Sequence, residues 1–312
     1  MNLVNVIQEF KNDDDCRAYL EKIRWPEGVH CLRCQGKKTN RMKITQTRRG
    51  KTYTREIFEC ASCLYQFSVT AGTVFHDSHL PLRTWFIVVA MMCEAKKGIS
   101  ANQVKRHFQI NYRTAWYLCH RIRRAMQAGN IFGKLGSGGG IVEADETYIG
   151  GRYDKRRKRG PFEKQAVMGI VERSGKVHAE AIPAPSKAIL VGKIHEHVAK
   201  DVKTVMTDEA SAYRNLDLPH QVIRHSALEY VRGEVHTNTV ENYWSLLKRG
   251  IIGSFHQVSV KHLPRYLGEF SYRYNHRADL GLFTRTITNL VDTGNLTYAD
   301  LIGKASEQKA LF

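Results

Sequence analysis

Residues 236–255 read HTNTVENYWSLLKRGIIGSF, and the pattern of this stretch decides how the rest of the chain is understood. Its apolar residues recur at helical spacing and predict one buried stripe, made of Val240, Tyr243, Trp244, Leu247 and Ile251. A second stripe, about a third of a turn away, consists of Asn238, Glu241, Ser245 and Lys248. The stretch therefore predicts a helix that presents a carboxylate and an ammonium group beside its buried face.

Two explanations account for the polar stripe. In the local one, Asn238 is the N-cap, Glu241 is its reciprocal partner in a capping box, and the exposed charges carry no function. In the functional one, Glu241 joins Asp145 and Asp208, each of which lies at a predicted strand. Because that arrangement lets three carboxylates meet, it favours the functional explanation.

The composition points to a polyanionic partner. The 312 residues include 48 Lys and Arg against 30 Asp and Glu, which gives a net charge of +18 and a pI near 9.7. This excess favours nucleic acid; a membrane surface ranks far behind, because no amphipathic Lys-rich anchor or lipidation motif occurs. A hydrophobic content of 42% argues against wholesale disorder, and the length predicts two or three domains.

The chain is expected to be soluble and intracellular. Residues 1–16 lack the apolar core of a signal peptide, and the longest apolar run, 85–93, is too short to span a bilayer. In a reducing compartment the seven Cys should not form disulfides.

Four of the cysteines have the spacing of metal ligands. Two CxxC pairs, Cys31 with Cys34 and Cys60 with Cys63, are separated by some twenty-five residues, whereas a redox CxxC would occur once, near a βαβ pattern. Two such turns close a tetrahedral site with Zn–S bonds of ~2.3 Å. The spacing predicts a zinc ribbon over residues 28–75, and its Zn²⁺ is structural because four protein ligands close the site.

Residues 76–135 have the pattern of a helix-turn-helix. Ser100 caps a first helix with Gln103 in the reciprocal position, residues 109–111 turn the chain, and a second helix follows over 112–126. The second helix carries Arg123 and the three residues expected to contact DNA, Arg113, Arg121 and Arg124. The alternative is a helical hairpin packed in a core or a dimer interface, with the Arg side chains merely solvated.

A Gly-rich junction at 136–140 precedes a change to strand patterns. Residues 141–149 predict a strand on which Glu143 and Asp145 share one face. A basic loop follows that is either solvated or holds a DNA backbone, with Arg156, Arg157 and Lys158 as its candidate contacts.

The later elements complete a recognisable order. A hairpin turning at 173–176, a helix over 186–198 and a strand over 202–207 that ends at Asp208 are predicted. Strand, hairpin, helix, strand and a later acidic helix is the order of an RNase H-like α/β domain, here over residues 136–290. The whole chain is therefore expected to be multidomain α+β.

Three carboxylates and a lysine suit phosphodiester chemistry. Two Mg²⁺ ions about 3.5–4 Å apart can stabilise the attacking and leaving oxygens of an in-line displacement, and Mg²⁺ or Mn²⁺ takes hard oxygen ligands. Asp145 is expected to bridge both ions, while Asp208 and Glu241 each complete one. Lys248 is expected to hold a phosphate.

Histidines offer a weaker alternative for metal binding. His195 with His197, or His236, are candidates for a transition metal. Since no H-x-E or HExxH pattern frames them, ordinary surface or core histidines are expected instead.

Five ordered blocks resemble bacterial insertion-sequence transposases of the DDE type, in the group with an N-terminal zinc ribbon (ISXO-like). The blocks are the four cysteines, FSVTAGTVFHDSHLPLRTW, VEADETYIGG, TDEASAY and HTNTVENYWSLLKRGIIGSFHQVS, which together cover about residues 30–275. The resemblance implies an RNase H-like catalytic domain, Mg²⁺-dependent cleavage at terminal inverted repeats, and strand transfer into target DNA.

The resemblance also implies roles for individual residues. Asp145 and Asp208 match the first two acids of the family, and Glu241 matches the third, with the basic Lys248 seven positions on. Asn238, on the same helical face, is the alternative third ligand. Weaker candidates lie beside the first acid, namely Glu143 and Glu146.

The remaining expectations concern partners and the chain termini. The partners are double-stranded DNA, as terminal repeats and target, and further copies of the chain in a homo-oligomer on DNA. The expected location is the bacterial cytoplasm, in association with the nucleoid. Residues 1–27 are expected to form a helical lead-in, and residues 291–312 a C-terminal tail. Two alternatives stay open: an RNase H-like nuclease or junction resolvase, which cuts without joining, and a non-catalytic zinc-ribbon DNA-binding regulator, which has no need of the acids.

Overall fold

The computed structural model describes residues 1–48, 51–150, 164–208, 211–214, 216–223 and 236–303. The chain forms two compact units. One unit consists of Met1–Glu94, Val104–Ala125 and Leu280–Phe312, and the other consists of Ala95–Gln103 and Met126–Asp279. Within the described ranges, every helix is too short or too polar to cross a membrane.

The helices and strands alternate in a defined order along the chain. Up to residue 128 they are α1 (Leu3–Glu9), α2 (Asp13–Arg24), β1 (Thr39–Arg48), β2 (Lys51–Cys60), β3 (Gln66–Phe67), α3 (Leu82–Glu94), α4 (Ala101–Phe108) and α5 (Tyr112–Ala128). From residue 141 they are β4 (Ile141–Ile149), β5 (Gln165–Glu172), β6 (Val177–Ile182), α6 (Lys187–His197), β7 (Thr204–Thr207), β8 (His220–Val222), α7 (Asn238–Gly250), α8 (Leu263–Asn275), α9 (Leu282–Asp292) and α10 (Tyr298–Ile302). The predicted strand over 141–149 is confirmed, and so is the predicted helix over 186–198, which is one residue shorter at each end.

The first unit combines an antiparallel sheet with packed helices. β1 pairs with β2 along its full length, and β3 adds to the other edge of β2. Trp25 follows α2 and packs edge-on against Phe58 and Phe67 of this sheet, with ring centroids 5.5 Å and 5.9 Å away. Phe10 follows α1 and packs against Phe86 of α3 and Phe283 of α9. The N-terminal helices are therefore part of a core that includes residues near the C-terminus.

The second unit is built on a five-stranded sheet in the order β6-β5-β4-β7-β8. β4, β5 and β6 are antiparallel neighbours, whereas β4, β7 and β8 run parallel. The β5–β6 hairpin turns at Ser174, whose φ of 59° lies in the left-handed region. One face of the sheet packs against Leu190 and Ile194 of α6, and the other packs against α7 and α8.

α7 confirms the two predicted stripes and corrects the predicted cap. Every residue of the apolar stripe is buried, and every residue of the polar stripe is exposed. The expected capping box is wrong, because the N-cap is Thr237 and Asn238 is already the first helical residue. The N–H groups of the first turn are bound instead by Glu143 of β4.

Candidate active site

Two parallel strands bring Asp145 and Asp208 together. In the pairing of β4 with β7, Glu143 lies opposite Met206. Continuing this register by two positions places Asp145 opposite Asp208, which directly follows β7. Residues paired in a sheet project from the same face, so both carboxylates lie on one face where β7 ends.

Trp244 of α7 holds Asp145 in place. Its indole Nε1 donates a hydrogen bond of 2.9 Å to Oδ2 of Asp145. The residue opposite Asp145 on β5 is Gly169, where a Cβ would lie only 2.6 Å from Cζ2 of Trp244. The absence of a side chain at Gly169 therefore lets the indole lie against the sheet and reach the acid. Sequence reasoning identified Trp244 as a core residue but missed this bond.

Burial and the two other acids act on the carboxyl group of Asp145. The pKa of Asp145 is raised from 3.8 to about 6, chiefly by burial and further by the negative charges of Asp208 and Glu241. Hydrogen bonds from Trp244 and from a backbone N–H act in the opposite direction. Asp208 and Glu241 thus lie close enough to Asp145 for their negative charges to act on it. Carboxylate oxygens are the ligands that Mg²⁺ takes in proteins, and a divalent cation would relieve this repulsion, so the residues fit such an ion.

Glu146 follows Asp145 on β4 and therefore projects from the opposite face of the sheet, on the side of Tyr213. Burial raises its pKa from 4.5 to about 7, with smaller contributions from Asp145 and Asp208, while a hydrogen bond with Tyr213 lowers it. Tyr213 is buried, and burial together with Glu146 raises the pKa of its hydroxyl group. The hydroxyl group therefore stays neutral.

Glu143 is fully buried and joins β4 to the first turn of α7. Its Oε2 accepts from the backbone N–H groups of Thr239 at 2.8 Å and Val240 at 3.0 Å, and its Oε1 accepts from the Thr239 hydroxyl at 2.9 Å. Arg173 donates to Oε1 at 2.7 Å and also to the carbonyl of His236 at 2.8 Å. A carboxylate is favourable at the positive end of a helix. Glu143, a weaker candidate from the sequence, is therefore engaged in holding α7.

The three candidates on α7 lie along its exposed side. Glu241 is in the first turn, where its Oε1 accepts from the Thr237 hydroxyl at 3.1 Å. Asn238 precedes it by about one turn, and Lys248 lies near the C-terminal end of the helix. Seven residues at ~1.5 Å each separate Glu241 from Lys248 by about 10 Å along the axis.

The four predicted zinc ligands converge in the first unit. Sγ of Cys31 lies 3.6 Å from Sγ of Cys63, and Sγ of Cys34 lies 3.5 Å from Sγ of Cys60. The four sulfur atoms all lie within 4.8 Å of one another. A tetrahedron with Zn–S bonds of ~2.3 Å has edges of about 3.8 Å. The cluster therefore fits one zinc ion with four thiolate ligands.

The predicted pair of helices is present as α4 and α5, separated by residues 109–111. Ser100 caps α4 as predicted, with its hydroxyl accepting from the backbone N–H of Gln103 at 3.1 Å. Arg113 is exposed in the first turn of α5 and lies over the ring of Tyr298, 4.2 Å from its centroid. Arg124 is half-buried.

Arg121 corrects one prediction. Only 3% of the residue is exposed, and its guanidinium donates to the carbonyl of His76 at 2.5 Å and to Asn295 at 3.1 Å. The same group lies 5.1 Å from the ring centroids of Trp85 and Tyr117. Arg121 is therefore a core residue and not a DNA contact. The three basic loop candidates, Arg156, Arg157 and Lys158, lie outside the described residues.

Two protein-family domains match the chain, one in its N-terminal part and one in its C-terminal part. An ISXO2-like transposase domain matches residues 138–275, and a transposase zinc-ribbon domain matches residues 11–66. An uncharacterized protein in transposable element ISH50 of Halobacterium salinarum is 28% identical in an alignment of length 291, and the alignment covers 86% of this chain and 92% of that protein.

A solved structure gives a weaker match. A chain in the cryo-EM structure of the simian T-cell lymphotropic virus intasome with the PP2A regulatory subunit B56 gamma is 13% identical, over 51% of this chain and 57% of that one. Its TM-score of 0.26 is too low to show a shared fold.

The two matched domains occur in the order that the sequence predicts, and together they cover more than half of the chain. The relative from a transposable element covers 86% of this chain. The chain belongs to the IS1595-like DDE transposases with an N-terminal zinc ribbon.

Proposed function

We propose that this transposase binds the terminal inverted repeats of an insertion sequence, cleaves DNA in a Mg²⁺-dependent reaction and transfers the cut strand into target DNA. One observation carries the proposal. Asp145 lies on β4 and Asp208 directly follows the adjacent parallel strand β7, and the pKa of Asp145 is raised chiefly by burial and further by the charges of Asp208 and Glu241. Clustered carboxylates of this kind suit the binding of divalent ions at a phosphodiester.

We infer that the second unit has an RNase H-like fold. Support comes from the strand order, in which three antiparallel strands are followed by two that run parallel to the central β4. Further support comes from the placement of helices on both faces of the sheet. In this arrangement the acids come from β4, from the end of β7 and from the first turn of α7.

Asp145, Asp208 and Glu241 are the residues that would hold the ion, Mg²⁺ or Mn²⁺. When bound, the metal neutralises charge that develops on the attacking and leaving oxygens of an in-line displacement. The chain itself keeps the ligand oxygens in position. Trp244 orients one oxygen of Asp145 through its indole N–H, and Glu143 fixes the turn from which Glu241 projects. Both act as positioning residues.

Lys248 is assigned to a phosphate of the bound DNA. It is exposed on the same side of α7 as Glu241, and its ammonium group is a compact point charge suited to phosphate. Asn238 is the alternative third ligand, because it is exposed one turn before Glu241. An amide oxygen carries no negative charge, so we favour Glu241.

We assign DNA binding to the first unit and to the basic loop. α4 and α5 are proposed to form a helix-turn-helix, with Arg113 near base edges and Arg124 at a phosphate. Arg156, Arg157 and Lys158 are proposed to hold the DNA backbone. The four-cysteine cluster is proposed to bind one structural zinc, which stabilises the ribbon by closing it.

We further propose a homo-oligomer on DNA, acting at the nucleoid in the bacterial cytoplasm. Transposition joins two ends of an element to one target, whereas the described part of one chain contains a single cluster of Asp145, Asp208 and Glu241. Two or more copies related by symmetry would supply one site for each end.

The decisive experiment separates joining from cutting. Purified protein is incubated with Mg²⁺, labelled DNA from both flanks of its own gene, and a circular target. We expect labelled ends covalently joined to the target. A junction resolvase or other nuclease would yield cut but unjoined DNA, and a regulator would bind the DNA without cutting it, so either result would overturn the proposal.

A further inference from the structure

Three side chains converge on the face of the sheet that packs against α6. The proposed reaction uses none of them. His178 and Glu180 are two residues apart on β6 and project from one face. His197 is the last residue of α6. Their potential ligand atoms all lie within 4.8 Å of one another, a property that the described residues show elsewhere only in the four-cysteine cluster.

The contacts within this cluster leave polar atoms unsatisfied. Nε2 of His178 lies 3.5 Å, and Nε2 of His197 lies 3.4 Å, from the same carboxylate oxygen, Oε1 of Glu180. All three atoms are buried, and none of them forms a hydrogen bond. Buried polar atoms without partners are unfavourable and call for an explanation. One ion between them would satisfy all three once the stacked rings turn so that both nitrogens point at it.

The distances from Oε1 of Glu180 to the two imidazole nitrogens match those between zinc ligands. With bonds of ~2.0–2.2 Å to nitrogen and oxygen, neighbouring ligands of a tetrahedral Zn²⁺ lie about 3.3–3.6 Å apart. Two imidazoles and one carboxylate are a donor set that Zn²⁺ accepts, with a fourth position left for water. Nζ of Lys193 lies 3.0 Å from the other oxygen, Oε2 of Glu180, and so holds Oε1 towards the imidazoles.

An ion pair in which both histidines are protonated explains the geometry poorly. The two imidazole rings are stacked, with centroids 3.7 Å apart and planes inclined by 23°. If His178 and His197 were both protonated to bind Glu180, two cations would lie face to face. Neutral imidazoles avoid this repulsion, and neutral imidazole is the form that binds a metal.

We propose that His178, Glu180 and His197 form a second transition-metal site, which takes Zn²⁺. It is distinct from the centre formed by Asp145, Asp208 and Glu241, since Trp244 and Asp145 lie on the opposite face of the sheet. A metal here would fasten the edge strand β6 to the end of α6. The signal in the sequence is the H-x-E pattern at 178–180. Because residues two apart share a face only in a strand, this pattern indicates a site only when the segment is known to be a strand.

The test counts zinc in the full-length protein. Protein treated with EDTA is equilibrated with excess ZnSO₄, desalted and analysed for zinc. We expect two zinc ions per chain in the wild type and one after His178→Gln with His197→Gln. The matched control is His195→Gln, also on α6, because His195 lies 2.8 Å from Asp217 instead; this variant should keep two.

A second variant and a second measurement guard against misfolding. Glu180→Gln removes the charged ligand with little change in shape and should also bind one zinc. Added Zn²⁺ should raise the Tm of the wild type and of His195→Gln more than that of Glu180→Gln. A single zinc in the wild type, lost on Cys60→Ala with Cys63→Ala, would overturn the proposal, as would a second zinc that persists in Glu180→Gln and in the double histidine variant.

Discussion

The indole N–H of Trp244 donates a hydrogen bond of 2.9 Å to the carboxylate of Asp145. Trp244 belongs to the buried stripe of α7, whereas Asp145 lies on the central strand β4. Packing α7 on the sheet therefore also orients one oxygen of the acid. The contact depends on Gly169, because any side chain at this position would meet the indole. The same interaction thus serves the fold and the candidate site.

The first prediction concerns this hydrogen bond. Trp244→Phe keeps an aromatic ring on the buried stripe but removes the donor to Asp145. We expect cleavage to fall by about 10–100-fold and the Mg²⁺ concentration for half-maximal cleavage to rise, as is typical when a partner of a metal ligand is lost. Tyr243→Phe is the control, since its hydroxyl group contacts Ser271 and not the acids. A Mg²⁺ dependence that is unchanged in Trp244→Phe would contradict the assignment.

The second prediction concerns the junction between β4 and α7. Glu143→Gln leaves Arg173 without its buried carboxylate and places amide hydrogens near the N–H groups of Thr239 and Val240. We expect the free energy of unfolding, measured in urea, to fall by about 3–5 kcal/mol. Asp14→Asn removes an exposed ion pair with Arg17 and should cost at most about 1 kcal/mol. An equally small effect at Glu143 would show that this contact does not hold α7.

The third prediction is a gain in stability. Because burial and neighbouring acids disfavour the charge of Asp145, Asp145→Asn should stabilise the metal-free protein at pH 7.5 by about 1–3 kcal/mol. The carboxyl group of Asp145 loses its proton near pH 3.8 in the unfolded chain and near pH 6 in the folded chain. Between these pH values the folded state therefore binds more protons than the unfolded state. The wild type should therefore lose stability relative to the variant as pH rises through this window.

The control for this prediction is Asp217→Asn, at a side chain that is 78% exposed. It should change stability little and show no such dependence on pH. Denaturation in EDTA across this pH range is the measurement, and a destabilised Asp145→Asn at pH 7.5 would argue against repulsion among the acids.

The fourth prediction separates two arginines of α5. Arg124→Ala should weaken binding to element ends and to random DNA alike, and reduce the slope of log affinity against log salt by about 0.9. Arg121→Ala should instead lower Tm, because it removes buried contacts with the His76 carbonyl and with Trp85. Salt titrations and thermal melts distinguish the two. A smaller salt slope in Arg121→Ala with an unchanged Tm would return Arg121 to the DNA interface.

Local patterns predicted much of the second unit because they depend on a few neighbouring residues. The helical spacing from Val240 to Ile251 identified α7 and both of its faces. The period of two placed Glu143 and Asp145 on one face of β4. Neither pattern required knowledge of the tertiary structure, and the structure agrees with both.

Contacts between distant segments were not predictable in this way. The acceptor for the first turn of α7 is Glu143, 96 residues before Thr239, so a local rule selected Asn238 as the cap. The charge of Arg121 predicts an exposed side chain, although buried Leu118 and Ala125 lie three residues before it and four after it on the same side of α5. Both errors arose where tertiary packing supplied partners that local sequence cannot reveal.

The central claim is that Asp145, Asp208 and Glu241 act as one metal-dependent centre. Its most direct test is strand transfer by Asp145→Asn, Asp208→Asn and Glu241→Gln, with DNA binding measured in parallel. Each change keeps the shape of the side chain and removes the charge that Mg²⁺ needs. We expect each to lower joining by roughly 10³-fold or more, with binding retained and the double change Asp145→Asn with Glu241→Gln scarcely worse than either alone. Full activity in Glu241→Gln together with an inactive Asn238→Ala would contradict the account and make Asn238 the third ligand.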